Sequence, residues 1–201
     1  MTETNDIVIR DLAKRFQNKI VLADFNAVFA HQAVSCVMGP SGCGKTTLLN
    51  LIMGFEKPDC GTITGVPVRI SAVFQEDRLL EGFSAVRNVA FAAPRMPHER
   101  IVEILSALGL GQDLNKPVRE YSGGMKRRVA IARAVAAEGG LVLLDEPFKG
   151  LDETTRAHVA SYLRTQLEGR TVILVTHEEE EVRLMGGTLL KMKPGGNDHE
   201  D

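Results

Sequence analysis

Residues 34–49 read VSCVMGPSGCGKTTLL, and this stretch decides the fold. Its first five residues have the apolar, β-prone composition of a strand that is buried on both faces of a sheet. Residues 39–46 then read GPSGCGKT, which matches the pattern GxxxxGK(S/T), and the following residues have the composition of a helix. A glycine-rich loop between a strand and a helix is the context that a phosphate-binding loop requires, so the stretch predicts one.

The residue types in this loop suit the binding of phosphate. Gly39, Gly42 and Gly44 allow backbone amides to turn inward without a Cβ clash, and the N-terminus of the following helix adds partial positive charge. Lys45 is expected to reach the β- and γ-phosphates, and the Thr46 hydroxyl is expected to bind magnesium. The predicted nucleotide-binding residues of the loop are Gly39, Pro40, Ser41, Gly42, Cys43, Gly44, Lys45, Thr46 and Thr47.

Three further apolar runs have the character of buried strands: 70–74, 141–144 and 171–175. Helical stretches separate them, which predicts an α/β fold with a mostly parallel sheet. Alternation of apolar and polar residues over 7–29 predicts an antiparallel edge, and a second short hairpin is expected at 60–68.

The chain is expected to form a single domain over residues 1–201. Segment 76–137 contains no strong strand pattern, so it is interpreted as a helical subdomain inserted into the α/β body. The core then comprises about 1–75 and 138–193, including the antiparallel β part. The acidic ending at 194–201 is expected to be a flexible tail.

Polar residues follow the predicted strands at the point where each strand ends. Gln75 follows one strand, Asp145 and Glu146 follow the next, and Thr176 and His177 follow the last. In open α/β sheets ligands bind outside the carboxyl ends of the strands, which predicts one shared crevice. Asp145 suits the magnesium shell, and Glu146 is placed to orient and polarise the attacking water.

A second glycine-containing segment, YSGGMKRRVAIARA at 121–134, predicts another anion site. Ser122 is expected to cap a helix whose N-terminus carries partial positive charge, and Gly123 and Gly124 permit close backbone approach. One nucleotide does not need two such sites on one chain. We therefore predict a head-to-tail pair of chains, in which Ser122, Gly123 and Gly124 of one copy close over the γ-phosphate held by the other.

Composition and charge exclude several classes of protein. With 44% hydrophobic and 25% charged residues the chain is neither disordered nor fibrous. A formal net charge of −2 provides no basic field, so no nucleic-acid partner is expected. The start lacks a signal-peptide pattern and no apolar run approaches the ~20 residues that span a bilayer, so we expect a cytoplasmic protein. Cys36, Cys43 and Cys60 show no disulfide or zinc spacing.

These motifs, in this order and over nearly the whole chain, resemble those of the ATP-binding cassette (ABC) ATPases. GPSGCGKTT is similar to their Walker A loop, YSGGM to their signature and LVLLDEP to their Walker B strand. Gln75 takes the place of their Q-loop glutamine, GLD at 150–152 that of their D-loop, and His177 that of their switch histidine. A small-molecule kinase or a GTPase shares the phosphate loop, but neither explains YSGGM or His177.

The resemblance implies the cofactors, ATP and Mg²⁺, and several residue roles. Thr46, Gln75 and Asp145 would bind magnesium, and His177 would contact the γ-phosphate. Phe16 takes the place of the aromatic residue that stacks on adenine, whereas a lone Phe between polar residues is otherwise interpreted as core. The implied catalytic residues are Glu146, His177 and Lys45.

The chain departs from the family pattern in its signature and its D-loop. Tyr121 and Met125 stand where Leu and Gln are usual, and Met125 cannot donate a side-chain hydrogen bond. Lys149 stands where a small residue is usual, ahead of Asp152, which by resemblance communicates across the dimer. Within the phosphate loop, the thiol of Cys43 is expected to be accessible to maleimide labelling, and bound MgATP is expected to protect it. The alternative is that the Cys43 side chain points into the body of the protein as a small core residue.

The resemblance also implies a role in transport. Residues 73–91, VFQEDRLLEGFSAVRNVAF, are similar to importer cassettes for nitrate, sulfonates and taurine. Such a subunit powers a separate membrane permease at the inner face of the membrane, together with an extracytoplasmic solute-binding protein. Leu79, Leu80 and Phe83 either line the groove for a permease helix or pack within the subdomain. A lipoprotein-release or cell-division cassette and a soluble ATPase without a transport role are the alternatives.

Overall fold

The computed structural model describes residues 5–17, 19–112 and 114–193, and the tail predicted at 194–201 lies outside them. The described residues form two β-sheets and six α-helices. The strands are β1 (Ile7–Phe16), β2 (Lys19–Phe29), β3 (Val34–Met38), β4 (Cys60–Thr64), β5 (Ile70–Val73), β6 (Leu141–Asp145), β7 (Thr171–Thr176) and β8 (Thr188–Lys191). The helices are α1 (Lys45–Ile52), α2 (Ala85–Ala92), α3 (His98–Ala107), α4 (Gly123–Ala136), α5 (Glu153–Gln166) and α6 (Glu179–Met185).

A parallel sheet of five strands forms the body of the protein, in the order β5–β6–β7–β3–β8. Its central strands are buried on both faces. In β6, Val142 packs in the hydrophobic cluster that includes α4, whereas the adjacent Leu143 packs in the cluster that includes α1. Because helices or the second sheet cover both faces, every position of β6 and β7 is buried, which explains their continuous apolar sequences. The predicted α/β fold is confirmed.

The antiparallel β-structure predicted at 7–29 is confirmed, as β1 and β2 pair in a second sheet of order β2–β1–β4. The hairpin predicted at 60–68 is wrong. Instead, β4 pairs with β1, with Ile63 opposite Ile9, and the chain then crosses to β5 in the parallel sheet. Pro67 follows β4 and has no amide hydrogen with which to pair back against it.

Between 76 and 137, the residues that the structure describes carry three of the helices, α2, α3 and α4, and a 3₁₀ turn at Val118–Glu120. The cap predicted for Ser122 is confirmed, because its hydroxyl oxygen accepts a hydrogen bond from the Met125 amide at 3.3 Å. Ser84 caps α2 in the same way through the Arg87 amide, a helix start that the sequence analysis did not identify.

The strand order brings the functional strand ends together. β6, β7 and β3 are neighbours, with Asp145 opposite Val175 and Met38 opposite Thr176. The phosphate loop after Met38 and the two carboxylates at the end of β6 therefore lie at one edge of the sheet, as predicted from the parallel topology.

Candidate active site

Three glycines of the phosphate loop occupy positions that disfavour a side chain, either through the backbone conformation or through lack of space. Gly42 and Gly44 have φ angles of +80° and +103°, in the left-handed region that favours glycine. Gly44 also lies against β2, where a Cβ would be 3.0 Å from Val21 Cγ1. A Cβ on Gly39 would meet the carbonyl oxygen of Met192 at 2.5 Å. The loop geometry thus depends on glycine at all three positions.

Lys45 is buried at the start of α1, with 8% of its surface exposed. Its Nζ donates hydrogen bonds to the carbonyl oxygens of Gly39 and Pro40 at 2.6 and 2.9 Å. The loop therefore curls around the ammonium group. Pro40 and Ser41 are exposed on the outside of the loop, and Thr47 is half-buried.

The prediction that the Cys43 thiol is reachable in the loop is wrong. Cys43 is 1% exposed and packs with core residues such as Leu48 and Phe25. Its sulfur lies beneath the loop, 3.9 Å from Lys45 Nζ. The alternative of a small core residue is correct for Cys43, while Cys60 is exposed.

The three predicted magnesium ligands, Thr46, Gln75 and Asp145, line one cavity of about 170 Å³. Thr46 Oγ1 donates a hydrogen bond to Asp145 Oδ2 at 3.0 Å. A hydroxyl, an amide oxygen and one carboxylate suit Mg²⁺, which prefers oxygen ligands and completes its shell with water and substrate phosphates. The residues present therefore fit the ion.

Asp145 is 4% exposed, and this burial raises the pKa of its carboxyl group. The hydrogen bond from Thr46 opposes that effect and lowers the pKa. The charge of Glu146 raises the pKa of Asp145 further, whereas the charges of Arg127 and Lys45 lower it. A cation held at this carboxylate would also stabilise its ionised form and lower the pKa of Asp145.

Glu146 follows β6 with a φ angle of +47°, a left-handed conformation that is uncommon for a residue with a Cβ. Its amide donates to the Val175 carbonyl oxygen at 2.9 Å, which holds the backbone against β7. The carboxylate has two basic neighbours: His177 Nδ1 lies 3.3 Å from Oε1, and Lys149 Nζ lies 3.3 Å from Oε2. Strained backbone of this kind is concentrated at functional sites.

His177 is exposed just after the end of β7. The buried residues Thr176 and Glu181 fix the turn that carries it. Thr176 donates a hydrogen bond to the Glu181 carboxylate and accepts one from the Glu178 amide at 3.0 Å. Burial raises the pKa of Glu181, and the bond from Thr176 lowers it. The turn thus presents the imidazole of His177 to Glu146.

Phe16 is 42% exposed at the tip of the β1–β2 hairpin, so the core interpretation does not hold. The Lys14 ammonium lies 5.0 Å from the centre of its ring. Val21 of the same hairpin contacts the phosphate loop at Gly44. The exposed ring therefore belongs to the element that packs on the loop.

The signature segment begins on the surface, where Ser122 and Gly123 are exposed. A Cβ on Gly124 would lie 3.2 Å from the carbonyl oxygen of Gly150, so the segment packs beside the D-loop of its own chain. Met125 packs against the helical core. The signature is not among the residues that line the cavity at Asp145.

Arg127 is a residue of this region that the sequence analysis missed. It is 3% exposed, and its guanidinium donates to the carbonyl oxygens of Asp145, Glu146 and Pro147. It also binds the Phe74 carbonyl oxygen and pairs with a carboxylate of the Q-loop segment. One buried side chain of α4 thus joins the backbone after β6 to the backbone after β5.

The glycine-rich phosphate loop, the buried aspartate at a strand end and the glutamate after it define a P-loop nucleoside triphosphatase. The family model described as ABC transporter matches residues 22–149, and the chain belongs to that family.

Curated relatives with similar sequences include import proteins. The taurine import ATP-binding protein TauB of Roseobacter denitrificans is 42% identical over 173 residues, which cover 79% of this chain and 65% of that protein. TauB of Yersinia pestis is 38% identical, covering 93% of this chain and 79% of that protein. The spermidine/putrescine import ATP-binding protein PotA of Aliivibrio fischeri is 36% identical, covering 94% and 56%. The chain thus spans slightly less than two thirds of the first of these relatives.

Solved structures agree with the fold and the family. A dimeric bacterial ABC transporter cassette is 26% identical with a TM-score of 0.86, covering 96% of this chain and 97% of that chain. The same cassette in a post-hydrolysis state bound to ADP and Pi is 28% identical with a TM-score of 0.84, covering 97% of each. In the present protein, none of the described helices combines the length and apolar composition needed to cross a membrane.

Proposed function

We propose that this chain is the ATP-hydrolysing subunit of an importer and that it powers a separate membrane permease. One observation carries the hydrolytic part of the proposal: Lys45, Thr46, Asp145, Glu146 and His177 meet at the carboxyl edge of one parallel sheet. The relatives named for taurine and for spermidine/putrescine import support the transport role.

In the proposed complex, the loop amides and Lys45 hold the β- and γ-phosphates, and Phe16 stacks on adenine. Thr46, Gln75 and Asp145 hold Mg²⁺, which when bound neutralises charge on the phosphates. These contacts bind and align the nucleotide. Phosphoryl transfer depends mostly on such positioning and on electrostatic stabilisation.

Hydrolysis then requires an oriented water molecule. Glu146 holds this water in line with the γ-phosphate and accepts its proton as the oxygen bonds to phosphorus. The bond from phosphorus to the bridging oxygen breaks, and ADP leaves with that oxygen. His177, whose Nδ1 lies 3.3 Å from Glu146 Oε1, would donate a hydrogen bond to the γ-phosphate.

We further propose that ATP joins two copies head to tail. Ser122 and Gly123 are exposed at the N-terminus of α4, which spans 14 residues and directs partial positive charge outward. This helix terminus would contact the γ-phosphate of the ATP that is bound in the phosphate loop of the second copy. The solved dimer of a similar cassette is consistent with this arrangement.

A surface of the helical region suits the permease. We define the docking surface as Leu80, Phe83, Arg87, Phe91 and Pro94. Phe91 is 65% exposed and its ring packs edge-on against that of Phe83, with centroids 5.8 Å apart. Leu80 is also exposed, whereas Leu79 packs against the helical core.

The docking surface borders an open cavity of about 450 Å³, lined by its phenylalanines, Arg87, Ala90 and Pro94. Exposed apolar patches of this kind mark protein interaction sites. We propose an amphipathic permease helix as the occupant, with apolar side chains against the two rings and a carboxylate against Arg87.

Replacing Phe91 by Asp is expected to reduce co-purification with the co-expressed permease by about tenfold or more, because it places a charge in a buried apolar contact. Candidates for the permease in this test are multispanning proteins whose genes adjoin the gene for this chain. Val28 is a matched control, since it is 64% exposed on β2, and Val28→Asp should co-purify as the wild type does. Equal recovery of Phe91→Asp and wild type, with equal unfolding midpoints, would exclude the docking surface.

For the solute, we propose a small anion or zwitterion of the taurine, sulfonate or nitrate kind, delivered by an extracytoplasmic binding protein. A polyamine is the second candidate because of the 36% identity to PotA. In either case the chain works at the inner face of the membrane through its permease. Uptake of labelled taurine, but not of putrescine, by cells that express the complete transporter would support the first candidate.

A further inference from the structure

Lys149 reaches the carboxylate that the proposed mechanism uses to activate water. Its Nζ lies 3.3 Å from Glu146 Oε2, while His177 Nδ1 lies 3.3 Å from Oε1, so each carboxylate oxygen has its own basic neighbour. We propose that Lys149 is a positioning residue that holds the Glu146 carboxylate in its productive orientation. This inference rests on the proposed ATP hydrolysis.

The backbone of Glu146 has little freedom to reorient. Its amide is bound to Val175, and its carbonyl oxygen accepts from Arg127 Nη2 at 2.6 Å and from the Lys149 amide at 3.1 Å. These bonds maintain a left-handed conformation that costs free energy in isolation. The remaining freedom of this residue therefore lies in its side chain.

The terminal torsion of a glutamate is broad, because rotation about an sp³–sp² bond has no deep staggered wells. A carboxylate without fixed partners therefore samples many orientations. With Lys149 on Oε2 and His177 on Oε1, one orientation is selected, and Oε1 is kept on the side of the histidine. Holding a catalytic group in its reactive geometry is a direct contribution to rate.

The turn that carries Lys149 is itself anchored. Phe148 is fully buried, and the Leu151 amide donates to the Phe148 carbonyl oxygen at 3.1 Å. Lys149 is 59% exposed on its side chain, whereas Glu146 is 18% exposed. Because solvent screens the lysine, we expect an effect of a few-fold rather than a complete loss of activity.

The test compares Lys149→Met and Lys149→Arg with the wild-type chain in steady-state hydrolysis of MgATP. We expect Lys149→Met to lower kcat about two- to fivefold, the range an exposed ion pair supports, with KM unchanged. Lys149→Arg should restore kcat because it keeps the charge. Arg100→Met is the matched control, since Arg100 pairs with Glu103 at the same spacing along the chain and far from the site in sequence, and its kcat should be unchanged.

An unchanged or raised kcat in Lys149→Met would overturn the role of Lys149. A raised KM would also overturn it, because the lysine would then bind nucleotide rather than position the base. Equal unfolding midpoints establish that the variants are folded. If the wild-type chain shows no magnesium-dependent hydrolysis, the proposed function fails instead, so the two failures are distinguishable.

Discussion

Glu146→Gln is expected to lower kcat for ATP hydrolysis by about 10²- to 10⁴-fold, the usual contribution of a positioned general base. Glutamine keeps the size of the side chain and its reach towards His177, but its amide cannot accept the proton of the attacking water. Binding of ATP should persist, because we propose that Lys45 and the loop amides, not Glu146, hold the phosphates. Hydrolysis is measured as release of phosphate, and binding as fluorescence of a labelled ATP analogue.

Glu168→Gln is the control for this substitution, since Glu168 is exposed after α5 and should leave turnover unchanged. Lys45→Ala separates binding from chemistry, because removal of the ammonium should weaken nucleotide binding itself. If Glu146→Gln hydrolysed ATP at the wild-type rate, Glu146 would have no role as the base.

Replacing Arg127 by Met is expected to lower the free energy of unfolding by at least about 3 kcal/mol. The guanidinium binds four backbone carbonyl oxygens and Asp77, and methionine leaves all of these acceptors without it. For a domain of this size, each kcal/mol corresponds to about 2–4 °C in the unfolding midpoint. Thermal unfolding followed by circular dichroism measures the change.

Arg164→Met provides the comparison for Arg127, because Arg164 is exposed in the last turn of α5. Its midpoint should stay close to that of the wild type. Equal midpoints for Arg127→Met and Arg164→Met would show that the buried bonds of Arg127 contribute little to stability.

The parallel sheet and its strand ends could be predicted from the sequence because they depend on local signals. Strand β3 was predicted with its observed bounds, since an apolar run stops at a glycine-rich loop. Which strand pairs with which is not indicated by a comparable signal in the local sequence. The segment after Cys60 looks like half of a hairpin, yet β4 pairs with β1 across a separation that only the folded chain brings together.

The direction in which a side chain points was the second feature that the sequence did not predict. The motif identifies Cys43 as a residue of the phosphate loop, but it does not show that the side chain is buried and packs in the hydrophobic core. Arg127 illustrates the same point, because it stands in the run KRR, which is typical of a solvated helix face. Its burial follows from the packing of α4 against the turns after β5 and β6.

The proposed mechanism requires that ATP close two copies of this chain over a shared nucleotide site. Light scattering on Glu146→Gln tests it most directly, because this variant should bind ATP without consuming it. We expect a shift from the monomer mass of 21.9 kDa to twice that value with MgATP but not with MgADP, and no shift when Ser122→Arg is added. A mass that is the same with both nucleotides, or a dimer that tolerates Ser122→Arg, would contradict it.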